Sequence, residues 1–211
     1  MAVFTKYPEE GKVKTRLASV IGNKKSMILY RSMLIDILEN LKSGKYEIAL
    51  CFTPEDKKLK FKELLGVKLM HPQAEGNLGD RMENCFKHFL SSYKNVIVIG
   101  SDILDINSND IIRSFELLEH KDIVLGKADD GGYYLVGMGK FHDIFSGIKW
   151  STEEVFEDTL VKIKNKNLSL GILNEKADID EIDDLRKIKI NPEEFPNTFE
   201  AMKMIKYSFN S

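Results

Sequence analysis

The sequence predicts an α/β fold of three layers, with helices on both faces of a mainly parallel central sheet. Three observations point there. Short apolar runs alternate with amphipathic segments from the first residues to Leu173, the strand–helix alternation of parallel sheets. Val96, Ile97, Val98 and Ile99 are β-branched and continuous, which suits a strand covered on both faces. Polar, glycine-containing segments follow several of the runs, and such sheets bind ligands beyond the carboxyl ends of their strands.

The first strand starts with Ala2-Val3-Phe4. It leads into the stretch FTKYPEEGKVKTRL, residues 4–17, which turns at Pro8 and Gly11 and gathers Lys6, Lys12, Lys14 and Arg16 before a segment that can start a helix. Residues 26–41 place Met27, Tyr30, Leu34, Ile37, Leu38 and Leu41 on one helical stripe. Residues 46–52 read as a buried strand stopped by Thr53-Pro54, residues 55–65 as a charged amphipathic helix and residues 67–70 as a second short strand. The loop QAEGNLGDRM, residues 73–82, opens a helix with Leu78, Met82, Cys85, Phe86 and Phe89 on its expected buried face. The run at 95–100 ends in Gly100-Ser101-Asp102, and Asn107-Ser108-Asn109 offers caps for a helix over 111–118. A strand at 122–125, the segment KADDGGYYLVGM at 127–138, and a helix capped by Ser151 or Thr152 follow. A last strand at 168–173, the acidic run ADIDEIDDL at 177–185 and a terminal helix from Thr198 complete the reading.

The 211 residues suffice for one sizeable core, read as a domain over 1–189 with a helical tail over 190–211 packed on it. A net charge of −2 removes the global basic field that nucleic-acid binding would use. Cys51 and Cys85 sit in apolar runs without CxxC spacing, which reads as two buried, reduced thiols in a cytoplasmic protein. No apolar run approaches a membrane span, and the opening residues read as strand rather than leader.

Fixed cations in a glycine-containing loop before a helix start form a place to hold phosphates. The alternative for residues 4–17 is a solvated basic loop. Asp102, at the mouth of the strongest strand, is the first candidate for a divalent cation, with a turn or N-cap role as its alternative. Asp178 and Asp180 would share a face in extended backbone, where two carboxylates repel unless a cation joins them. Their alternative is to charge the start of the following helix. Asp130, Gly131, Gly132 and Tyr133 suit a sugar or metabolite pocket, with Asp130 an orienting carboxylate or general base; their alternative is a tight turn before an ordinary strand. Trp150, Ser151 and Thr152 either line that pocket or form a core tryptophan beside a helix cap. Arg81 follows Gly79-Asp80 and either reaches a phosphate or pairs with Asp80. The four histidines show no metal-ligand spacing.

Five segments, FTKYPEEGKVKTRL, EGNLGDRM, VIVIGSD, DGGYYLVG with the downstream WST, and DIDEIDDL, resemble in order a bacterial and archaeal family of small glycosyltransferase-like proteins (DUF2064-type). Some members are linked to arsenosugar biosynthesis. The resemblance implies a GT-A nucleotide-diphospho-sugar transferase fold, related to molybdopterin cytidylyltransferase and phospholactate guanylyltransferase. It implies that Gly11, Lys12, Lys14 and Arg16 hold a donor diphosphate within a nucleotide site that also takes Lys6, that Gly76, Gly79 and Arg81 lie near the nucleoside, and that Asp102, Asp178 and Asp180 bind Mg²⁺ or Mn²⁺. Two positions depart from the family pattern: Leu104 stands where a proline is usual, and Gly126-Lys127-Ala128 where G-P-A is frequent. The implied activity is sugar transfer from a nucleotide-sugar to a small-molecule acceptor, with nucleotidyl transfer from an NTP as the rival and non-catalytic nucleotide-sugar binding as a third reading. Catalytic roles fall on Asp130, Lys14 and Arg16, and a homodimer is the assembly considered.

Overall fold

The computed structural model describes residues 1–207. In chain order the elements are β1 (Ala2–Lys6), α1 (Thr15–Ile21), α2 (Asn23–Leu41), β2 (Ala49–Thr53), α3 (Lys58–Leu65), β3 (Leu69–Pro72), α4 (Leu78–Leu90) and β4 (Val96–Ile99). Then follow α5 (Ser108–Leu117), β5 (Ile123–Ala128), β6 (Tyr133–Met138), α6 (Val155–Asn165), β7 (Leu170–Lys176), α7 (Ile182–Lys187) and α8 (Pro196–Tyr207). The strands form one sheet in the order β3-β2-β1-β4-β6-β5-β7.

The sheet is mainly parallel, as expected, with β6 reversed. β6 pairs antiparallel with both β4 and β5, whereas the β1–β2, β1–β4, β2–β3 and β5–β7 pairs are parallel. The reversal follows from the connection. Residues 129–132 make a tight turn in which Ala128 N–H donates to Gly132 O at 3.1 Å and Gly131 adopts φ 86°. A link that short supports a hairpin, while a parallel return needs a crossover of a dozen or more residues.

Alternation along the strands builds the two apolar layers. Val3, Leu50, Phe52, Ile97 and Ile99 face one layer with α1, α2, α3, α5, α7 and α8. Ala2, Phe4, Ala49, Cys51, Val96 and Val98 face the other with α4 and α6. Val96 through Ile99 are all buried, as the continuous β-branched run predicts. Cys51 and Cys85 are buried free thiols, their sulfurs 3.1 Å apart between β2 and α4. The longest helix is α2, and no helix among the described residues is long and apolar enough to cross a membrane.

Several expectations shift. Leu78, expected on the buried face of α4, is 47% exposed and opens onto a cleft. The helix begins at Leu78 under an Asn77–Asp80 capping box, so its first turn lies at the rim of the sheet rather than over it. Ser151 and Thr152 do not cap α6. That helix starts at Val155 after Glu154 with no side-chain cap, and Thr152 Oγ1 donates to Lys149 O instead. The segment at 55–65 opens with a 3-10 turn at Glu55–Lys57 before α3.

Helix α8 lies against α2, with Ala201, Met202 and Ile205 buried in the same layer. Asp36 of α2 is 2% exposed and receives the start of α8: Asn197 N and Nδ2 donate at 3.3 and 2.7 Å, Thr198 N and Oγ1 at 2.7 and 2.6 Å. A buried carboxylate is tolerated here because every donor is a real N–H or O–H at the helix start. Asp36→Ala is expected to cost about 3 kcal/mol, since it removes charge-assisted bonds and strands buried donors. Chemical denaturation with an unchanged m-value checks this. A cost below about 1 kcal/mol would mean that the contact does not hold the helix.

Candidate active site at the carboxyl edge of the sheet

β1, β4, β5 and β7 run in one direction, so the loops leaving them meet at one edge of the sheet. A cleft of about 860 Å³ opens there. Lys14 and Arg16 reach it from the β1–α1 connection, Asp102 from the end of β4, and Asp130 and Gly132 from the β5–β6 turn. Trp150, Ser151 and Thr152 arrive from the segment before α6, and Asp178 and Asp180 from the β7–α7 connection.

Lys14 sits at the centre of these loops. Its side chain is 2% exposed, and its ammonium pairs with Asp102 Oδ1 and with Asp180 Oδ1, the latter at 3.4 Å. Burial pulls the ammonium's pKa down, but the charge and hydrogen bond of Asp102, followed by Asp180, override this and hold the group above the ordinary lysine value. The backbone of Lys14 is left-handed, φ 46° and ψ 51°. Such a conformation is costly for a residue with a Cβ and persists where neighbours enforce it. Here the buried Ser26 hydroxyl donates to Lys14 O at 2.9 Å, and Ala18 N donates to the same carbonyl at 2.8 Å. Arg16 remains 70% exposed, near Asp180 Oδ2 at 3.7 Å and Glu181 Oε1 at 3.4 Å.

The carboxylates are themselves positioned. Ile179 N–H donates to Asp102 O at 3.1 Å, and Ile179 is buried between Asp178 and Asp180. Ile179 therefore anchors the connection while both acids look into the cleft, the shared face that extended backbone provides. Asp184 Oδ2 accepts from Asp180 N at 3.0 Å and Glu181 N at 2.7 Å, fixing the start of α7. Beneath Asp102, the hydroxyl of Tyr30 lies 3.0 Å from Ser101 Oγ and 2.9 Å from Thr5 Oγ1, and accepts from Lys6 N at 3.1 Å. Burial, and then the charge of Asp102, raise the pKa of that phenol, so it stays a neutral strut between β1 and β4.

Asp178, with its backbone N–H donating to Asp129 Oδ1 at 3.2 Å, leans to the other side. Burial, a hydrogen bond with Asp129 and the charges of Asp130, Asp129 and Asp180 push its carboxyl up to about 7. Asp130 Oδ1 accepts from Gly132 N at 2.8 Å, which orients that carboxylate at the turn. Tyr133 and Trp150 meet edge to face with centroids 6.2 Å apart. Burial raises the Tyr133 phenol well above its usual range. Gly79 touches this wall: a Cβ there would come within 2.7 Å of Trp150 Nε1. Ser151 is left-handed, φ 65°, the second strained backbone in the cleft wall.

The structure thus gathers Lys14, Arg16, Asp102, Asp130, Gly132, Tyr133, Trp150, Ser151, Thr152, Asp178 and Asp180. It leaves Lys6, Gly11, Lys12, Gly76, Gly79, Arg81 and Gly131 outside the lining. Lys6 and Lys12 are exposed, and Gly11 (φ 72°) serves the turn that carries Lys14. Arg81 pairs with neither a cleft group nor Asp80; its Nε donates to Gly76 O at 3.1 Å and it reaches Gln73 Oε1 at 3.4 Å. Gly131 packs under Glu153, whose backbone a Cβ would strike at 2.3 Å. Sequence reasoning missed Tyr30, Ser101 and Ser26. The available signal was a tyrosine on an otherwise aliphatic stripe, whose hydroxyl needs a partner when buried.

Oxygen donors of this kind suit a hard divalent cation, which takes a few carboxylates and completes its shell with phosphate and water. Asp102 and Asp180 fit: their side chains are 52% and 39% exposed on the cleft side. The excess negative charge around Asp178 fits as well. Among the described residues no three ligating side chains are gathered as a ready metal set, and the Lys14 ammonium pairs with both Asp102 and Asp180. A separate cavity of about 650 Å³ lies at the opposite edge, around Ala2, Ala49, Leu69 and Val96. It adjoins the amino ends of the strands, away from the loops that carry Lys14, Asp102 and Asp180, and its lining includes Lys45, Glu47, Lys94, Glu116 and Glu119.

Comparisons with known proteins bear on the family and the fold. A crystal structure of a protein from Desulfovibrio desulfuricans G20, described as a candidate nucleotide-diphospho-sugar transferase, superposes with TM-score 0.87 and 34% identity, covering 98% of this chain and 96% of that one. The curated 2-phospho-L-lactate guanylyltransferase of Methanothermobacter thermautotrophicus is 24% identical over 119 residues, 56% of this chain and 53% of the relative, so the match spans about half of that enzyme. Rv0371c from Mycobacterium tuberculosis H37Rv, crystallised in complex with manganese, shares the fold with TM-score 0.53 and 10% identity over 88% of this chain and 95% of that one. Residues 37–152 match the family described as "Uncharacterized protein conserved in bacteria (DUF2064)", more than half of the 211 residues. With its fold that of nucleotide-diphospho-sugar transferases, the chain belongs to the DUF2064 family.

Proposed function

We propose that the protein is a transferase that moves a sugar from a nucleotide-diphospho-sugar donor to a small-molecule acceptor, with Mg²⁺ or Mn²⁺ held by Asp102 and Asp180 and with Asp178 beside them. One observation carries the reading: a lysine buried at a strand mouth is shared by carboxylates from two distant connections. That is a charge arrangement suited to a diphosphate and its cation rather than to packing alone. The manganese complex of a protein of the same fold supports the choice of cofactor. The cation would neutralise charge on the departing diphosphate.

The chain's own groups divide the remaining work. Lys14 and Arg16 stabilise the charge that develops on the leaving diphosphate, and Lys14 is already desolvated, so its interaction is strong. Asp130, oriented by Gly132 N–H, takes the proton of the acceptor hydroxyl as its oxygen attacks the sugar carbon. Tyr133 and Trp150 supply an apolar wall for the acceptor and keep water from the reacting carbon. The guanylyltransferase match favours a second reading, in which a phosphorylated metabolite attacks the α-phosphate of an NTP and pyrophosphate leaves.

The two reactions differ in product. Incubation with labelled nucleotide-sugars and with labelled NTPs is expected to release nucleoside diphosphate from the former. Pyrophosphate from the latter would transfer the assignment to nucleotidyl transfer, and a metal-dependent thermal shift with no turnover of any donor would make the protein a nucleotide-sugar binder. Asp102→Asn is expected to keep the circular dichroism spectrum and to lose the Mn²⁺-dependent thermal shift given by nucleoside diphosphates. A variant that binds both normally would remove Asp102 from the metal site. Lys14→Met is expected to lower kcat/KM for the donor by about 10²–10³-fold, the loss typical of one preorganised donor. A decrease under about threefold would place Lys14 in a structural role only.

A further inference from the structure

The two ends of the cleft differ in charge, and the difference bears on the acceptor. Of the described residues that line the cleft, the cationic ones are Lys14 and Arg16, both on the β1–α1 side and both against carboxylates. The opposite end, formed by the β5–β6 turn and the segment before α6, carries Asp130 and Glu153 beside Tyr133 and Trp150, with Asp178 between the two ends. Lysines on the adjoining elements do not line it. Lys127 pairs with Glu175 at 3.0 Å, Lys176 pairs with Asp105 and Asp110 at 3.4 and 3.2 Å, and Lys149 is exposed outside the lining.

Backbone amides do not offer a substitute. The start of α6 would be an anion site if its first N–H groups were free. Val155 N instead donates to Thr152 O at 3.4 Å and Phe156 N to Gly131 O at 2.9 Å, and Glu157 and Asp158 fill the first turn. Gly131 N and Gly132 N, at the turn, donate to Ala128 O and to Asp130 Oδ1. A phosphate or carboxylate brought there would face two acids and no donor with positive charge.

We infer that the acceptor is a hydroxyl compound bearing no phosphate or carboxylate, such as an uncharged or amine-bearing polyol. The inference rests on the sugar-transfer reading, and it deepens that reading: nucleotidyl transfer to a phosphorylated metabolite would need cations at the end of the cleft that has none. Stacking of sugar-like C–H faces on Tyr133 and Trp150, with hydroxyls shared between Asp130 and Glu153, is the recognition this wall provides.

Paramagnetic relaxation tests this directly. The full chain is loaded with Mn²⁺ and a nucleoside diphosphate (GDP, UDP and CDP in parallel), and carbon-bound protons are observed for glycerol, 3-aminopropane-1,2-diol and glycerol 3-phosphate. Each probe is corrected by a protein-free sample. Glycerol and the amine are expected to relax more than the phosphate ester by about fivefold, the exclusion that one carboxylate at contact distance exerts through water. Asp130→Asn keeps the oxygen that accepts from Gly132 N and, having lost the carboxylate charge, is expected to reduce the exclusion of glycerol 3-phosphate relative to glycerol. With binding of Mn²⁺ and the nucleoside diphosphate established by their joint thermal shift, glycerol 3-phosphate relaxed as strongly as glycerol, or no probe relaxed at all, would overturn the inference. Its failure is separable from that of the donor reading. Nucleoside diphosphate release together with strong phosphate-ester relaxation loses the acceptor class alone. Pyrophosphate release with polyol preference loses the donor assignment alone.

Discussion

A lysine ammonium taken out of water must find negative charge, and Lys14 finds it after the neighbouring strand β4 and after the distant strand β7. β1 and β7 stand four places apart in the sheet, about 19 Å at the usual strand spacing. The β7–α7 connection therefore has to run back across the carboxyl edge for Asp180 to reach Lys14. Ile179 makes that path stable by burying its side chain and donating its N–H to Asp102 O. Without the ion pair, Asp102 and Asp180 would face one another with no cation between them. Without Ile179, the connection would have no apolar reason to lie across the sheet. The electrostatic and the apolar contacts thus specify the same loop path.

The reversed strand β6 has an equally local cause and a wider effect. Its four-residue turn can make only a hairpin, so residues 129–132 stay at the edge where β4 and β7 end. A crossover helix in their place would have carried Asp130 and Tyr133 away. One short link therefore supplies the acidic, aromatic end of the cleft, while the β1–α1 connection supplies the cationic end. The division of charge between the two ends is a property of topology before it is a property of any single side chain.

Much of this was legible in the sequence, for reasons that differ by residue. Periodicity located the long helix α2 and the central strand β4, because both bury whole stripes or faces. The shared edge of strand ends in a parallel sheet grouped the basic loop with Asp102, but it also included Gly76 and Arg81, which lie outside the cleft lining; Asp178 and Asp180 joined Asp102 through the cation that a nucleotide phosphate needs and through the family resemblance. Leu78 was not legible: apolar spacing assigns it to the core, and only the position of the Asn77 cap shows that the first turn overhangs the cleft. Ser151 and Thr152 carry cap chemistry, yet the chain uses them to turn at the wall. Lys6, Lys12 and Lys14 look alike in a basic run. A left-handed backbone held by Ser26, far along the chain, decides which of them is buried.

The strain at Lys14 is coupled to its burial. Residues with φ near 46° avoid that region unless something opposes the cost, and here two hydrogen bonds to the Lys14 carbonyl hold the backbone while two carboxylates hold the ammonium. The side chain is thereby fixed at both ends. A lysine on a mobile loop would lose rotamer freedom on meeting a phosphate, whereas this one has lost it during folding. The hydroxyl of Tyr30 extends the same rigidity to the far side of Asp102 through Ser101. Preorganisation of this type is what lets a single ammonium contribute more to a developing charge than it would in water.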